Sequence, residues 1–190
     1  MRIEEFGELV RVYLAAAAIT IPEETGLYRT AAEVREMVAA YCTDGGVFLE
    51  RGDLVNAHAS FTYGRGWFAA GCLIGLLVPA RQPEPLPIFA ETIPLHLHDH
   101  LCEKTGRYAR MLGEAQDAVE CAPDRESPMD ETARAIWQNA RVARERGREW
   151  QESGARINAL GWFSYGYGFL DAGIRAGLLR ITEKRHLFTV

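Results

Sequence analysis

Residues 41–77 and residues 143–179 are one segment written twice. Aligned at an offset of 102 without gaps, 14 of the 37 positions are identical. The strings FTYGRGWFAAGCLIGLL and FSYGYGFLDAGIRAGLL show the correspondence directly. A duplication of this kind constrains the fold strongly, because both copies must bury the same pattern of side chains against similar neighbours. It predicts a first unit at residues 1–78 and a second at residues 95–190. Residues 79–94 between them hold five of the eight prolines. Proline cannot continue a helix and favours extended backbone, so this segment reads as a semi-rigid linker.

Each unit reads as three helices. Ile3, Phe6, Val10, Tyr13 and Ala17 step by three and four residues, which is one helical face ending before Pro22. Thr30-Ala31-Ala32-Glu33 has the spacing of a capping box, opening a second helix with Val34, Val38, Tyr41 and Phe48 inward. The turn Arg51-Gly52-Asp53 is so short that a third helix must fold back antiparallel. That helix is expected over Leu54–Leu77, about 36 Å long. In the second unit, Leu97, Leu101, Tyr108, Leu112, Ala115 and Val119 mark the first helix. Ser127-Pro128 caps the next, which turns Ala133, Ile136, Ala140, Ala143, Gly147 and Trp150 inward. No β-type alternation of useful length appears. The expected fold is all-α, a tandem duplication of an up-and-down three-helix bundle packed as a pseudo-symmetric pair.

Two features bear on how the units meet. Gly64, Gly66, Gly71 and Gly75, with counterparts Gly166, Gly168, Gly173 and Gly177, fall within the expected third helices, where each glycine costs up to about 1 kcal/mol relative to alanine. Gly64, Gly71 and Gly75 share a face, which predicts close approach of a neighbouring helix or a shallow ligand groove. Phe68–Val78 carries no charge, whereas the matching stretch of the second unit holds Asp171, Arg175 and Arg180. That helix end should therefore pack on the second unit, on a protein partner or in a homo-oligomer.

Composition narrows the function classes. The chain is 48% hydrophobic and 25% charged, the proportions of a globular protein, which exclude a disordered or collagen-like chain. With 21 basic and 26 acidic residues it lacks the basic excess of a general nucleic-acid binder. Cys42, Cys72, Cys102 and Cys121 form no CxxC pair, and Glu4, Glu5 and Glu8 stand where a signal peptide would carry basic residues. A cytoplasmic location is expected. Gly66–Val78, the longest apolar run, is shorter than the roughly 18 residues of a spanning helix, so no membrane partner is expected.

FLERGDLVNAHASFTYGRGWFAAGCLIGLL and WQESGARINALGWFSYGYGFLDAGIRAGLL both resemble the C-terminal half of the archaeal domain-of-unknown-function family 357. The motif of that family is similar to G-D-Y-x-N-A-x-A-x-F-S-Y-A-x-G-W-L-D-A-G-x-R-x-G-L. The resemblance implies two fused three-helix bundles of archaeal origin with no assigned activity. The family's Trp-Leu-Asp-Ala-Gly corresponds to Phe169-Leu170-Asp171-Ala172-Gly173 in the second unit. In the first it corresponds to Trp67-Phe68-Ala69-Ala70-Gly71, which lacks the carboxylate.

Candidate chemistry is sparse. Asn56 and Asn158 recur just inside the third helices, where an asparagine can bond carbonyls ending the preceding helix. Tyr63 and Tyr165 follow seven residues later on the same face. With Trp67 and Asp171 they form the candidate ligand-binding set. His96, His98, His100 and Cys102 are the densest group of metal-ligating side chains, and a metal-dependent enzyme or metal binder using them is the alternative reading. Arg134, Arg141 and Arg148 lie seven apart, which suggests weak RNA association; Glu145 and Glu149 interleave and favour a salt-bridged solvated face. Glu50 and Glu152 are the only identical ionisable pair apart from the tyrosines, and no nucleophile–base pair repeats. The sequence therefore points to a helical interaction module for a protein or small ligand, with no catalytic residues, metal or cofactor assigned.

Overall fold

A computed structural model describes residues 1–189. Its architecture follows from two short turns. Gly52 (φ 74°) and Gly154 (φ 84°) adopt left-handed backbone that a side chain would strain, and each reverses the chain between two long helices. In the first unit α2 (Gly26–Glu50) runs back along α3 (Leu54–Ile74), with α1 (Ile3–Ala15) packed across both. The second unit repeats this with α4 (His98–Asp117), α5 (Pro128–Glu152) and α6 (Arg156–Arg175). α3 and α6 pack against each other at the centre, so each is covered on nearly every side. This explains why neither sequence has a polar stripe. The expected all-α duplication, paired pseudo-symmetrically, is the structure of the chain.

Glycine sets the closeness of that central crossing. A Cβ on Gly66 would lie 2.2 Å from the Tyr165 carbonyl oxygen and 3.1 Å from the Gly168 Cα. One on Gly168 would lie 2.4 Å from the Tyr63 carbonyl oxygen and 3.1 Å from the Gly66 Cα. Backbone meets backbone, leaving no room for a methyl group. Gly64 and Gly71 instead face α2, meeting Tyr41 and Val34; Gly166 and Gly173 meet Ala143 and Ile136, the residues 102 positions on. The close approach of a neighbouring helix expected at Gly64, Gly71 and Gly75 thus holds at Gly64 and Gly71, against α2, and not at Gly75. Gly66 makes the inter-unit contact, and Gly75 (φ 83°) with Gly177 (φ 71°) lies just past the helix ends.

Other local expectations shift for identifiable reasons. α3 ends at Ile74, short of Leu77, because Gly75 turns left-handed and the amides of Leu76 and Leu77 bond back to the Gly71 carbonyl. α2 begins at Gly26, not near Thr30. Thr25 is its cap, accepting from the Tyr28 amide, while the Thr30 hydroxyl donates to the Gly26 carbonyl inside the helix. Ser127 caps α5 as read, with Pro128 at the first helical position. α1 stops at Ala15, well before Pro22, because Ala18 leaves to pair with Val78 in an antiparallel bridge. The second unit widens that bridge into a ribbon, β1 (Val119–Cys121) against β2 (Leu179–Ile181). Glu120 pairs with Arg180 where Ala18 pairs with Val78, so the offset of 102 holds from end to end. These three-residue strands are too short to show alternation in sequence.

Residues 79–94 form a fastened strap. Phe89 is buried, edge-on to Phe6 at 5.1 Å and to His58 at 4.3 Å. The Asn158 side chain accepts from the Phe89 amide (2.8 Å) and donates to its carbonyl (3.1 Å). Neither repeated asparagine caps the preceding helix as expected. The uncharged stretch Phe68–Val78 departs from the packing on the second unit or a partner expected of it: Phe68 stacks on Tyr13 of its own unit at 5.9 Å and Leu76 and Leu77 are buried, whereas Leu73 and Val78 are exposed. Among the described residues no helix is long and apolar enough to cross a membrane.

Not every helical glycine is needed. Gly106 lies mid-α4 with only the end of Arg110 nearby, 3.7 Å from where an added methyl group would sit. Gly106→Ala should stabilise the protein by about 0.5–1 kcal/mol through helix propensity, read as a raised urea midpoint with unchanged slope.

Candidate functional site

A cavity of about 270 Å³ opens beside the α3–α6 crossing, between α2, α4 and the C-terminal segment. α2 contributes Tyr41 and Asp44, α3 contributes Asn56, Ser60 and Tyr63, and α4 contributes Lys104 and Tyr108. Tyr167 of α6 and Thr189 complete the wall used below. Its aromatic lining is close-set: the Tyr41 and Tyr63 rings are 4.3 Å apart, and Tyr63 and Tyr167 are 6.3 Å apart.

Behind this wall sits Asp171, fully buried. The Tyr63 hydroxyl donates to Asp171 Oδ2, and the Thr189 hydroxyl donates to the same oxygen at 2.8 Å. Among the described residues Oδ1 has no hydrogen-bond partner. Burial pushes the Asp171 carboxyl up to about 6, with the Tyr63 and Thr189 hydroxyls and the Thr189 backbone amide opposing the rise. Burial also holds the Tyr63 phenol well above its usual range, reinforced by the adjacent carboxylate. Both hydroxyls spend their protons on Asp171 and their oxygens lie 3.1 Å apart, so any further hydrogen bond that either makes is as an acceptor.

Lys104 gives the opposite end its character. It is buried, its Nζ donates to Asn56 Oδ1, and it lies 5.2 Å from the Tyr108 ring. Asn56 is fixed in turn by the Asp53 carboxylate. Burial lowers the affinity of Lys104 for its proton, and Arg107 adds to this while Asp53 opposes it.

The six candidate residues divide between two places. Asn56, Tyr63 and Asp171 come together at this cavity, and Trp67 is buried beside Tyr63 at 6.5 Å without lining it. Asn158 holds the strap, and Tyr165 lines a second cavity on the far side of the crossing. Sequence reading missed Lys104, Tyr41, Tyr108, Tyr167 and Thr189. One signal was present: Lys104 sits among Leu97, Leu101, Tyr108 and Met111 on the apolar stripe of α4, where an unpaired lysine is out of place.

The histidine group does not converge. His98 Nε2 bonds the Ile93 carbonyl at 2.9 Å, His100 Nδ1 lies 3.9 Å from Asp53, and Cys102 is exposed. Among the described residues no three His, Cys, Asp or Glu side chains could hold a metal ion. In the arginine stripe, Arg134 pairs with Asp130 and Arg141 with Glu145.

A family model described as a protein of unknown function (DUF357) matches this chain twice, over residues 6–77 and 107–179. No curated protein and no solved structure matches it.

Proposed function

The chain belongs to the DUF357 family in two tandem copies, and from that premise we propose that it is a binding module for a small zwitterionic ligand of amino-acid size. The units are taken as residues 1–78 and 95–190, joined by the strap. The observation that carries the reading is the orientation of Tyr63 and Thr189 by Asp171. Their oxygens form an acceptor patch walled by tyrosine rings, which suits an ammonium group. Lys104, at the Asn56 end, supplies donors for a carboxylate. A buried carboxylate with an unpaired oxygen is costly to fold around, and such costs concentrate at sites selected for something other than stability.

Calorimetric titration with the free amino acids tests this. At least one should bind with unit stoichiometry. Lys104→Met and Tyr63→Phe should each weaken that binding by about tenfold or more, the usual effect of removing a bond to a charged group. The reading fails if no amino acid binds, or if both variants bind as well as the parent.

A further inference from the structure

The second cavity, about 570 Å³, lies under the strap and is related to the first by the duplication. Tyr165 stands where Tyr63 does, Arg65 replaces Tyr167, and Ala69 replaces Asp171. The exchange turns the local charge from acidic to basic. Arg65 is 3% exposed, yet among the described residues no carboxylate pairs with it. Its Nη2 donates to the Glu84 backbone carbonyl at 2.8 Å, and among the described residues its Nη1 has no hydrogen-bond partner. The rings of Tyr13, Phe68 and Tyr165 lie 5.6, 5.8 and 5.8 Å from the guanidinium carbon. Ring faces return part of the lost hydration, but a buried guanidinium does not neutralise itself and calls for an anion.

We propose that this cavity binds an organic monocarboxylate with an apolar or aromatic body, its carboxylate taking the place of the Glu84 carbonyl on Arg65. A carboxylate matches the two-pronged face of the guanidinium, so it can take both prongs where the carbonyl takes one, and it adds the ion-pair attraction that a neutral carbonyl lacks. Leu73, Leu86, Val142, Trp162 and Phe169 give the remaining wall an apolar face that suits an apolar body, while Gln82 and Asn139, whose amide nitrogen already donates to the Ala135 carbonyl, add only neutral amides for a phosphate dianion. The Glu84 carboxylate is engaged outward with Arg81 and does not serve Arg65. Pro83 and Pro85 flank Glu84 and have no amide hydrogens, so lifting this stretch of strap leaves few donors unpaired.

The probe is 3-phenylpropionate, titrated into the full chain while the Arg65 Nε–Hε resonance is followed by NMR. Inorganic phosphate and chloride at equal ionic strength are the comparison arms. The expected result is a saturable shift with phenylpropionate alone, weakened at least tenfold in Arg65→Gln. Equal or larger shifts with phosphate, a shift no larger than that of chloride, or unchanged binding in Arg65→Gln would each overturn the proposal. Should Arg65→Gln fail to fold, the titration of the parent protein decides by itself.

Discussion

Gly66→Ala should destabilise the protein by about 3 kcal/mol or prevent it from folding, although alanine is the better helix former. The propensity gain is at most about 1 kcal/mol. Against it stands a methyl group placed 2.2 Å from the Tyr165 carbonyl oxygen and 3.1 Å from the Gly168 Cα. These are backbone atoms of a helix packed on its other faces by α4 and α5, so neither a rotamer change nor a local shift can relieve the clash. Separating α3 from α6 would open the central interface, where buried Trp67 and Phe169 lie next to the two glycines. Gly168→Ala should behave alike, since the contact is reciprocal. Urea unfolding of the two variants beside Gly106→Ala is the measurement. If Gly66→Ala matched Gly106→Ala in stability, the close crossing of α3 and α6 would be wrong.

Asp171→Asn should raise stability by about 2 kcal/mol at pH 7.5 and by nearly nothing at pH 4. The carboxyl titrates near 6 in the folded chain against 3.8 ordinarily, so between these values the folded state holds the extra proton. Stability from this group is therefore greatest at low pH and is lost as pH rises through 6, by about 3 kcal/mol in full. Asparagine keeps the shape and an acceptor oxygen for Tyr63 and Thr189 but carries no charge to desolvate. Its amide nitrogen inherits the unpaired position of Oδ1, which trims the gain. His58 works in the opposite sense. Its pKa is held near 4 by complete burial, so it costs stability as pH falls below 6.5. That cost is common to both proteins and cancels in the difference. A variant no more stable than the parent at pH 7.5 would refute the buried, ionising carboxylate.

What could be read from the sequence, and what could not, follows from the range of each signal. The duplication identified the three-helix plan and singled out Asn56 and Tyr63, because repeated polar residues in a glycine–aromatic run stand out locally; Asp171, which is not repeated, stood out through the family's Trp-Leu-Asp-Ala-Gly motif. The same comparison hid how they combine. Tyr63 aligns with Tyr165 and Asp171 with Ala69, yet Tyr63 bonds Asp171 across the two copies, 108 residues away. Periodicity reports which face of α4 is inward, not that Lys104 would meet Asn56 of the other unit. The strands escaped notice because three residues carry no period. The strap was legible as proline-rich backbone, but its anchors, Asn158 and Arg65, lie on the helices beneath it.

The strap also governs how the protein responds to dilution. Two units meeting through a reciprocal glycine crossing, if separate, would associate to an extent set by their concentration. A tether of 16 residues, pinned midway at Phe89, instead presents each unit to the other at a constant local concentration, of order millimolar even before the pin is counted. Assembly becomes an intramolecular step. The two cavities beside the crossing then exist in one copy each, present in fixed ratio however scarce the protein is.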